Sequence, residues 1–378
     1  MAAGSLPTAM KAQHLEVLNT PYVLREVPLP KITSPYDLLI KVDAASYCHT
    51  DAVLASGQML PNPPSLPHVG CHEFAGTVIA TAPDSVPPAS EFKPGDRIGT
   101  GGRSFHPCGI CEECQDTTHP ENDVAGYSIF CPASLSNGIS KDGGFREYAV
   151  VDSRQAVSIP TELSAVDTAP MMCAGITIYA ALKRCSLKSG QSVGIIGCGG
   201  GLGHLGLQFG VRMGLDVFGF DAADKALELA RGLNTGAKVI DSRVETAERI
   251  VQQVGESKGK KYQGEKGLDS VIILPESQRA FDYGMKLLKN HGRCILVSFP
   301  KDGFHISSHD IVFRDISIIG SLVGSVKSMR EALDIAAKYN IKATSKCFPL
   351  SKLNELVKEY NRGYGGKLVV DMSQERPA

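Results

Sequence analysis

Residues 193–210 read "VGIIGCGGGLGHLGLQFG", and the architecture of half the chain hangs on them. An apolar run of strand length enters a cluster of glycines, and an apolar pattern of helical period leaves it. Glycines at such a junction let the backbone turn tightly and come close to a ligand, while free N–H groups at the start of the following helix attract an anion such as a pyrophosphate. A bare glycine string is also compatible with a plain flexible turn; the strand before it and the helix after it favour the phosphate cradle. Gly197, Gly199, Gly200, Gly201, Leu202 and Gly203 are therefore the candidate contacts.

Downstream, strand-like and helix-like segments alternate. "DVFGFD" (216–221), "AKVID" (237–241), "LDSVIIL" (268–274) and "GRCILVSF" (292–299) are separated by "ADKALELARGL", "VETAERIVQQVG" and "SQRAFDYGMKLLKN". Alternation of this kind predicts a parallel sheet covered by helices, a doubly wound Rossmann arrangement. Asp221 ends the strand after the glycines, 18 positions beyond Gly203, near the distance at which an acid bonds an adenosine ribose 2′-hydroxyl. A carboxylate there repels a 2′-phosphate and favours NAD(H) over NADP(H); the alternative role is an N-cap of the next helix.

Before residue 165 the chain is rich in Pro and Gly, with short β-type runs such as "DLLIKVDAAS" (37–46) and "FAGTVIATA" (74–82) broken by turns. An irregular, mostly β domain over 1–170 is expected, with the nucleotide domain over 171–324. The closing segment, "MREALDIAAKYN", "KLNELVKEYNRG" and "KLVVDM", is expected to complete the first domain as 325–378. The whole is an α/β chain.

Composition narrows the function classes. The 378 residues carry 39 Lys plus Arg against 40 Asp plus Glu, so no net field recruits nucleic acid or anionic membrane, and a small-molecule partner is expected. No apolar run approaches the ~20 residues of a spanning helix, and the start lacks a secretory core, so a soluble cytoplasmic protein is the expectation. In that setting 11 cysteines point to metal binding or redox chemistry before disulfides. The basic stretch "SKGKKYQGEKG" (257–267) reads as a solvated loop between a helix and a strand.

Two metal signals draw mainly on the first domain. "HPCGICEEC" (106–114) supplies Cys108, Cys111 and Cys114 at two-residue gaps, and Cys131 follows after a longer loop. Four sulfurs close a tetrahedral shell, so this set is structural in type, the alternative being a redox pair or scattered thiols. A dispersed second set, Cys48, His72 and Cys173, offers two sulfurs and one nitrogen with an open fourth position, the arrangement of a catalytic zinc.

Together with "CHTD" (48–51), "GCHEFAG" (70–76), "MCAGITIYAAL" (172–182) and "GGKLVVD" (365–371), these features resemble the zinc-dependent medium-chain alcohol dehydrogenases, in their yeast-type branch, over nearly the whole chain. The resemblance implies a GroES-like catalytic domain beside the Rossmann domain, two zinc ions per chain, NAD(H), a homo-oligomer, and hydride exchange between cofactor and an alcohol, aldehyde or ketone. It implies that Cys48, His72 and Cys173 hold the catalytic zinc and that Thr50 starts a proton path. Asp51 orients His72, and Glu73 is a carboxylate behind the metal or an occasional ligand. His49 and Lys367 lie near the cofactor pyrophosphate. "ISIIGSLVG" (316–324) is the expected pairing strand between subunits.

The chain departs from that pattern in three places. Val53 stands where relatives commonly place the histidine that ends the proton relay, so water or ribose hydroxyls must carry the proton and carbonyl reduction is the expected working direction. Sixteen residues (115–130) separate Cys114 from Cys131, about twice the usual loop, which puts Cys131 in question. The chain has no Trp, and the stretch "GTGGRSFHPC" (99–108) stands where indoles narrow the pocket of small-alcohol enzymes, so a substrate bulkier than ethanol is expected, shaped by loops 54–66 and 299–309. A zinc-free reductase of an activated C=C bond and a non-catalytic nucleotide-binding redox sensor are the rival readings; both would be expected to lack ligands that this chain retains.

Overall fold

The computed structural model describes residues 6–59, 65–103, 105–116, 118 and 126–375. In chain order the strands and helices are β1 (Ala9–His14), β2 (Val23–Pro28), β3 (Asp37–Tyr47), α1 (His49–Ala55), β4 (Glu73–Thr81), β5 (Arg97–Gly101), α2 (Glu112–Gln115), β6 (Tyr148–Asp152), β7 (Ala156–Ser158) and α3 (Ala165–Thr168). There follow α4 (Ala174–Arg184), β8 (Ser192–Ile196), α5 (Gly203–Arg212), β9 (Asp216–Asp221), α6 (Asp224–Gly232), β10 (Lys238–Asp241), α7 (Ala247–Ser257), β11 (Leu268–Ile273), α8 (Gln278–Leu287) and β12 (Leu288–Leu296). The chain closes with α9 (Ser308–Arg314), β13 (Ser317–Gly320), α10 (Val326–Tyr339), β14 (Ser345–Phe348), α11 (Leu353–Asn361) and β15 (Lys367–Asp371).

Two compact units result. The first takes residues 1–173, 325–337 and 344–378, and the second takes 174–324 and 338–343. The short return 338–343 goes with the second unit because Gln208 grips it: Gln208 Nε2 donates to the Lys342 carbonyl at 3.0 Å, and the Lys342 N–H donates back to Gln208 Oε1 at 3.3 Å.

In the second unit six strands lie in the order β10-β9-β8-β11-β12-β13, all parallel. This is the doubly wound order, whose switch point falls between β8 and β11, next to the glycine turn. β8 is buried at all five positions, as a strand covered on both faces requires. The first unit is built on a mostly antiparallel sheet in the order β14-β15-β3-β4-β5-β7, with β6 pairing the start of β3. Nine of the 11 positions of β3 are buried, so it is the spine of this unit. Register brings three strand ends together: Tyr47, the last residue of β3, faces Leu368 at the start of β15, while Ala45 faces Phe74 at the start of β4. Cys48 leaves one of these ends and His72 enters another.

Several elements differ from the sequence expectation. The helix expected over 277–290 stops at Leu287, because Leu288 is buried in the core and pairs with Leu268 as the chain turns straight into β12. Only residues 317–320 of "ISIIGSLVG" pair, at an open sheet edge. The β1–β2 hairpin, β14 and α9 carry too little periodicity to be read; α9 buries none of its seven residues. Among the described residues no single helix is long and apolar enough to cross a membrane.

Candidate functional site

The two cysteine groups are assembled by opposite means. In the first, a loop between β5 and β6 folds on itself, and the Sγ atoms of Cys108, Cys111, Cys114 and Cys131 all lie within 4.8 Å of one another. Cys131 Sγ is 3.7 Å from Cys108 Sγ and 3.9 Å from Cys111 Sγ. A tetrahedron with metal–sulfur bonds of about 2.3 Å has sulfur–sulfur edges of roughly 3.8 Å, so the set fits one zinc ion and leaves no ligand position open. The long loop thus brings Cys131 to the other three; within it, residues 117 and 119–125 lie outside the described residues. Backbone N–H groups of Ile110 and Cys111 aimed at Cys108 draw its thiol down to about 6, while burial pushes Cys114 up to about 12.

The second group draws on three separate stretches of the first unit. Cys48 follows β3, His72 precedes β4, and Cys173 follows a 3₁₀ turn, Ala169–Met172, that packs on β4 and β5. Their ligand atoms also lie within 4.8 Å of one another, with His72 Nε2 3.2 Å from Cys173 Sγ. The donor set suits zinc, and three protein ligands leave the fourth position open. A hydrogen bond from Cys173, opposed by burial and helped by His72, draws Cys48 well below the ordinary thiol range. Accepting no such help, Cys173 is raised by its bond to Cys48 and by burial.

Around these ligands the neighbours are fixed in place. Asp51, fully buried in the first turn of α1, accepts the Cys48 N–H at 2.8 Å and the Cys71 N–H at 2.9 Å. Its Oδ1 also lies 3.6 Å from His72 Nδ1, which has no closer partner. Although burial pulls the imidazole down, the Cys48 and Asp51 charges carry His72 well above its usual value. Thr50 Oγ1 stands 3.8 Å from Cys48 Sγ, and Val53 lies half-buried on the same helix.

Behind the ligands, Glu73 is fully buried and ion-paired with Lys367, whose Nζ also donates to the Tyr47 carbonyl at 3.0 Å. Burial, partly offset by Lys367, pushes Glu73 up to about 7. Lys367 is therefore a buried cation at the start of β15, with two of its three N–H groups spent on the metal-site backbone and carboxylate. His49 stands apart from this group: its ring is exposed, and Nδ1 lies 2.7 Å from the Tyr360 hydroxyl.

Sequence reading missed Cys71 and Tyr360. Cys71 holds a left-handed backbone, φ 80°, immediately before His72, a strain of order 1–3 kcal/mol. Nothing in its residue type announces that. Tyr360 could have been found, since Leu353, Leu356 and Tyr360 share one face of α11.

In the second unit the glycine turn runs from β8 to α5. Gly197 takes φ +84°, and a Cβ on Gly203 would meet the Gly197 carbonyl oxygen at 2.1 Å, so neither position admits a side chain. Leu202 is the N-cap of α5, with Gly200 and Gly201 in the turn before it. Asp221, at the end of β9, accepts the Gly199 N–H at 3.0 Å and those of Ala222 and Ala223 at 2.8 and 3.2 Å. It braces the glycine turn, and the N-cap of α6 is Ala223. Residues 60–64 of the loop 54–66, and Ser104 of "GTGGRSFHPC", lie outside the described residues.

Comparison with known proteins adds the following. Residues 34–161 match the family model described as the alcohol dehydrogenase GroES-like domain, and residues 201–338 match that of the zinc-binding dehydrogenases. The chain is 33% identical over 362 residues to an alcohol dehydrogenase of Geobacillus stearothermophilus, covering 96% of this chain and 99% of that protein. With alcohol dehydrogenase 1 of Emericella nidulans it shares 32% identity over 372 residues, 98% and 100% of the two chains. The crystal structure of the Aeropyrum pernix alcohol dehydrogenase superposes with a TM-score of 0.80 at 26% identity, over 96% of this chain and 99% of that one. A structure described as a zinc-binding dehydrogenase from Sinorhizobium meliloti 1021 bound to NADP gives 0.80 at 27%, over 97% and 100%.

Proposed function

The chain belongs to the zinc-type medium-chain alcohol dehydrogenase family, and from that premise we propose that it is a zinc-dependent, NAD(H)-linked oxidoreductase of its yeast-type branch. Its substrate is an alcohol, aldehyde or ketone bulkier than ethanol. The observation that carries this reading is the three-ligand set Cys48, His72 and Cys173, with Thr50 beside it and a second, closed cysteine set elsewhere in the same unit. Zinc bound at the first set would supply Lewis acidity toward a substrate oxygen, and a bound nicotinamide would exchange hydride with the carbon bearing it.

The chain's own residues do the rest. Two thiolates and a neutral imidazole make a site of low residual charge, which leaves a cation there electrophilic. Asp51 holds the Cys48 backbone and faces His72 Nδ1 across 3.6 Å, so its charge favours the orientation that presents Nε2 to the metal. Thr50 Oγ1 accepts the proton of an alcohol hydroxyl, or donates one to a carbonyl oxygen in the reverse direction. With Val53 in place of a terminal imidazole, water or ribose hydroxyls take the proton onward, which favours reduction as the working direction. Glu73, tied to Lys367, is a reserve carboxylate behind the ligands. Cys108, Cys111, Cys114 and Cys131 hold a second zinc that stabilises their loop.

For the cofactor, Gly197 through Gly203 cradle the pyrophosphate and Asp221 accepts the ribose hydroxyl, as its bracing of the Gly199 N–H supports. By the family resemblance His49 and Lys367 are further phosphate donors, a role that for Lys367 competes with its buried pairing to Glu73. Self-association as a homodimer or homotetramer is supported by the open edge of β13 and by the exposed apolar side chains of neighbouring α9, with Val312 70% and Phe313 73% exposed. A cytoplasmic location is consistent with the thiol-rich sites.

The test is oxidation of NADH and of NADPH by the purified protein, with aliphatic, aromatic and bulky carbonyl substrates. We expect NADH to be preferred at least tenfold in kcat/KM and bulky carbonyls to outperform acetaldehyde. A preference for NADPH contradicts the role of Asp221, and a profile peaking at acetaldehyde contradicts the substrate class. Activity confined to enones would return the double-bond reductase reading.

A further inference from the structure

The end of β5 runs against the backbone that carries the three-ligand set. Gly101 pairs with Glu73 across the sheet, and a Cβ on Gly101 would meet the Met172 carbonyl oxygen at 3.0 Å. One residue on, a Cβ on Gly102 would lie 2.4 Å from His72 Cβ. Two consecutive glycines therefore let this strand end touch both the ligand His72 and the residue before the ligand Cys173. The first side chain to leave it is Arg103, at most about 7 Å of chain beyond Gly101.

Arg103 is half-buried and incompletely paired. Nη2 donates to the Ile129 carbonyl at 3.3 Å, Nε is sealed from solvent with no partner, and Nη1 is neither bonded nor sealed. Among the described residues no carboxylate pairs with the guanidinium, and burial holds it below the usual arginine range with only Tyr127 opposing. The two buried acids of the site are committed elsewhere, Asp51 to the Cys48 and Cys71 N–H groups and Glu73 to Lys367. A cation withdrawn from water without an anion is costly, and a bound anion removes that cost. Nη2 has one N–H left, which together with Nη1 makes the planar fork that takes a carboxylate end-on.

We propose that Arg103 is a specificity-determining residue that selects carbonyl substrates carrying a carboxylate several bonds from the reacting carbon. This rests on the reading of Cys48, His72 and Cys173 as the place where that carbon is held, and it narrows the substrate class to oxo acids and the corresponding hydroxy acids. A neutral tail leaves the guanidinium as it stands in the free protein, whereas a carboxylate completes it.

The experiment measures NADH-linked reduction of the semialdehydes of succinate, glutarate and adipate, each against its methyl ester, by the wild-type holoenzyme, Arg103→Met and Arg103→Lys. Zinc content, melting temperature and the NADH dissociation constant are recorded for each protein. Binding of succinamate and of its methyl ester, which cannot be turned over, is followed by calorimetry with NADH present. At the best chain length the wild type should favour acid over ester by about 10- to 100-fold in kcat/KM, the worth of a hydrogen bond to a charged group, and succinamate should bind more tightly than its ester. Arg103→Met should bring both ratios to about one, with zinc and NADH binding unchanged, and Arg103→Lys should fall between, since a point charge replaces a fork. Equal or better reduction of the esters by the wild type overturns the inference and leaves the dehydrogenase reading standing. So does an acid preference that survives in Arg103→Met. A lower melting temperature with equal losses for acid and ester would make Arg103 a support of the Ile129 loop, and weaker NADH binding would assign it to the cofactor; either result also overturns it. If no aldehyde of either kind is reduced, the dehydrogenase reading fails, and equal binding of succinamate and its ester then overturns the inference separately.

Discussion

The loop cluster and the strand-end cluster use the same atoms to opposite ends. Cys108, Cys111, Cys114 and Cys131 come from one irregular loop and close a shell of four sulfurs, with Cys108 exposed. Cys48, His72 and Cys173 come from three stretches brought together by sheet register, stop at three ligands, and are backed by Asp51, Glu73 and Lys367, all nine-tenths or more buried. A shell that is full can only hold its loop together. One that is short of a ligand, and whose neighbours restrain each ligand, is suited to receive something else.

Substitutions can break that contrast, and the largest effect belongs to the strand-end cluster. Cys48→Ala should lower turnover by about 10³-fold or more, because the several kcal/mol of Lewis-acid assistance go with the metal. Zinc should fall from two to one per chain, and melting should change little; steady-state kinetics with metal analysis decides it. Cys111→Ala should do the reverse. The expected loss is about 4 kcal/mol of stability in chemical denaturation, since metal binding is folding energy for such a loop, while protein that remains folded keeps turnover within tenfold.

Next comes the brace. Lys367→Met leaves the Glu73 carboxylate buried without its partner and should cost about 3 kcal/mol of stability. Adding Glu73→Gln should recover most of it, and a double-mutant cycle measures the coupling. Failure of the second change to restore stability would mean that Lys367 matters mainly through the Tyr47 carbonyl. The smallest of these effects is expected for Thr50→Val, which keeps shape and removes the hydroxyl. We expect kcat to fall about 10²-fold with both zinc ions retained and with NADH binding unchanged, as a lost proton-path group requires. A fall in zinc content would instead make Thr50 a support for Cys48.

How far each cluster could be read beforehand follows from how it is built. The gaps in "CGICEEC" place three sulfurs within reach whatever the rest of the chain does, so only Cys131 needed the fold. For Cys48, His72 and Cys173 no spacing rule applies; their meeting depends on the pairing of β3 with β4 and on the turn before Cys173, so donor types alone made them a candidate set and the family resemblance gave it weight. The parallel sheet was legible from alternating apolar runs because helices cover both its faces. Two of the failures were local. Leu288 extends an apolar helical pattern yet belongs to a strand, and the strain at Cys71 depends on backbone dihedrals that residue types do not encode. The Glu73–Lys367 pair joins residues nearly 300 positions apart, so each was read alone, and Lys367 was assigned to the cofactor without its buried partner.

The most direct test of the division between the two clusters is stepwise removal of zinc by a chelator, with metal content, turnover and melting temperature followed on the same sample. The account predicts that one zinc ion can be lost with all activity and almost no change in melting, and that loss of the other lowers the melting temperature. Activity and melting temperature falling together with a single zinc ion, or activity surviving removal of both, would contradict it.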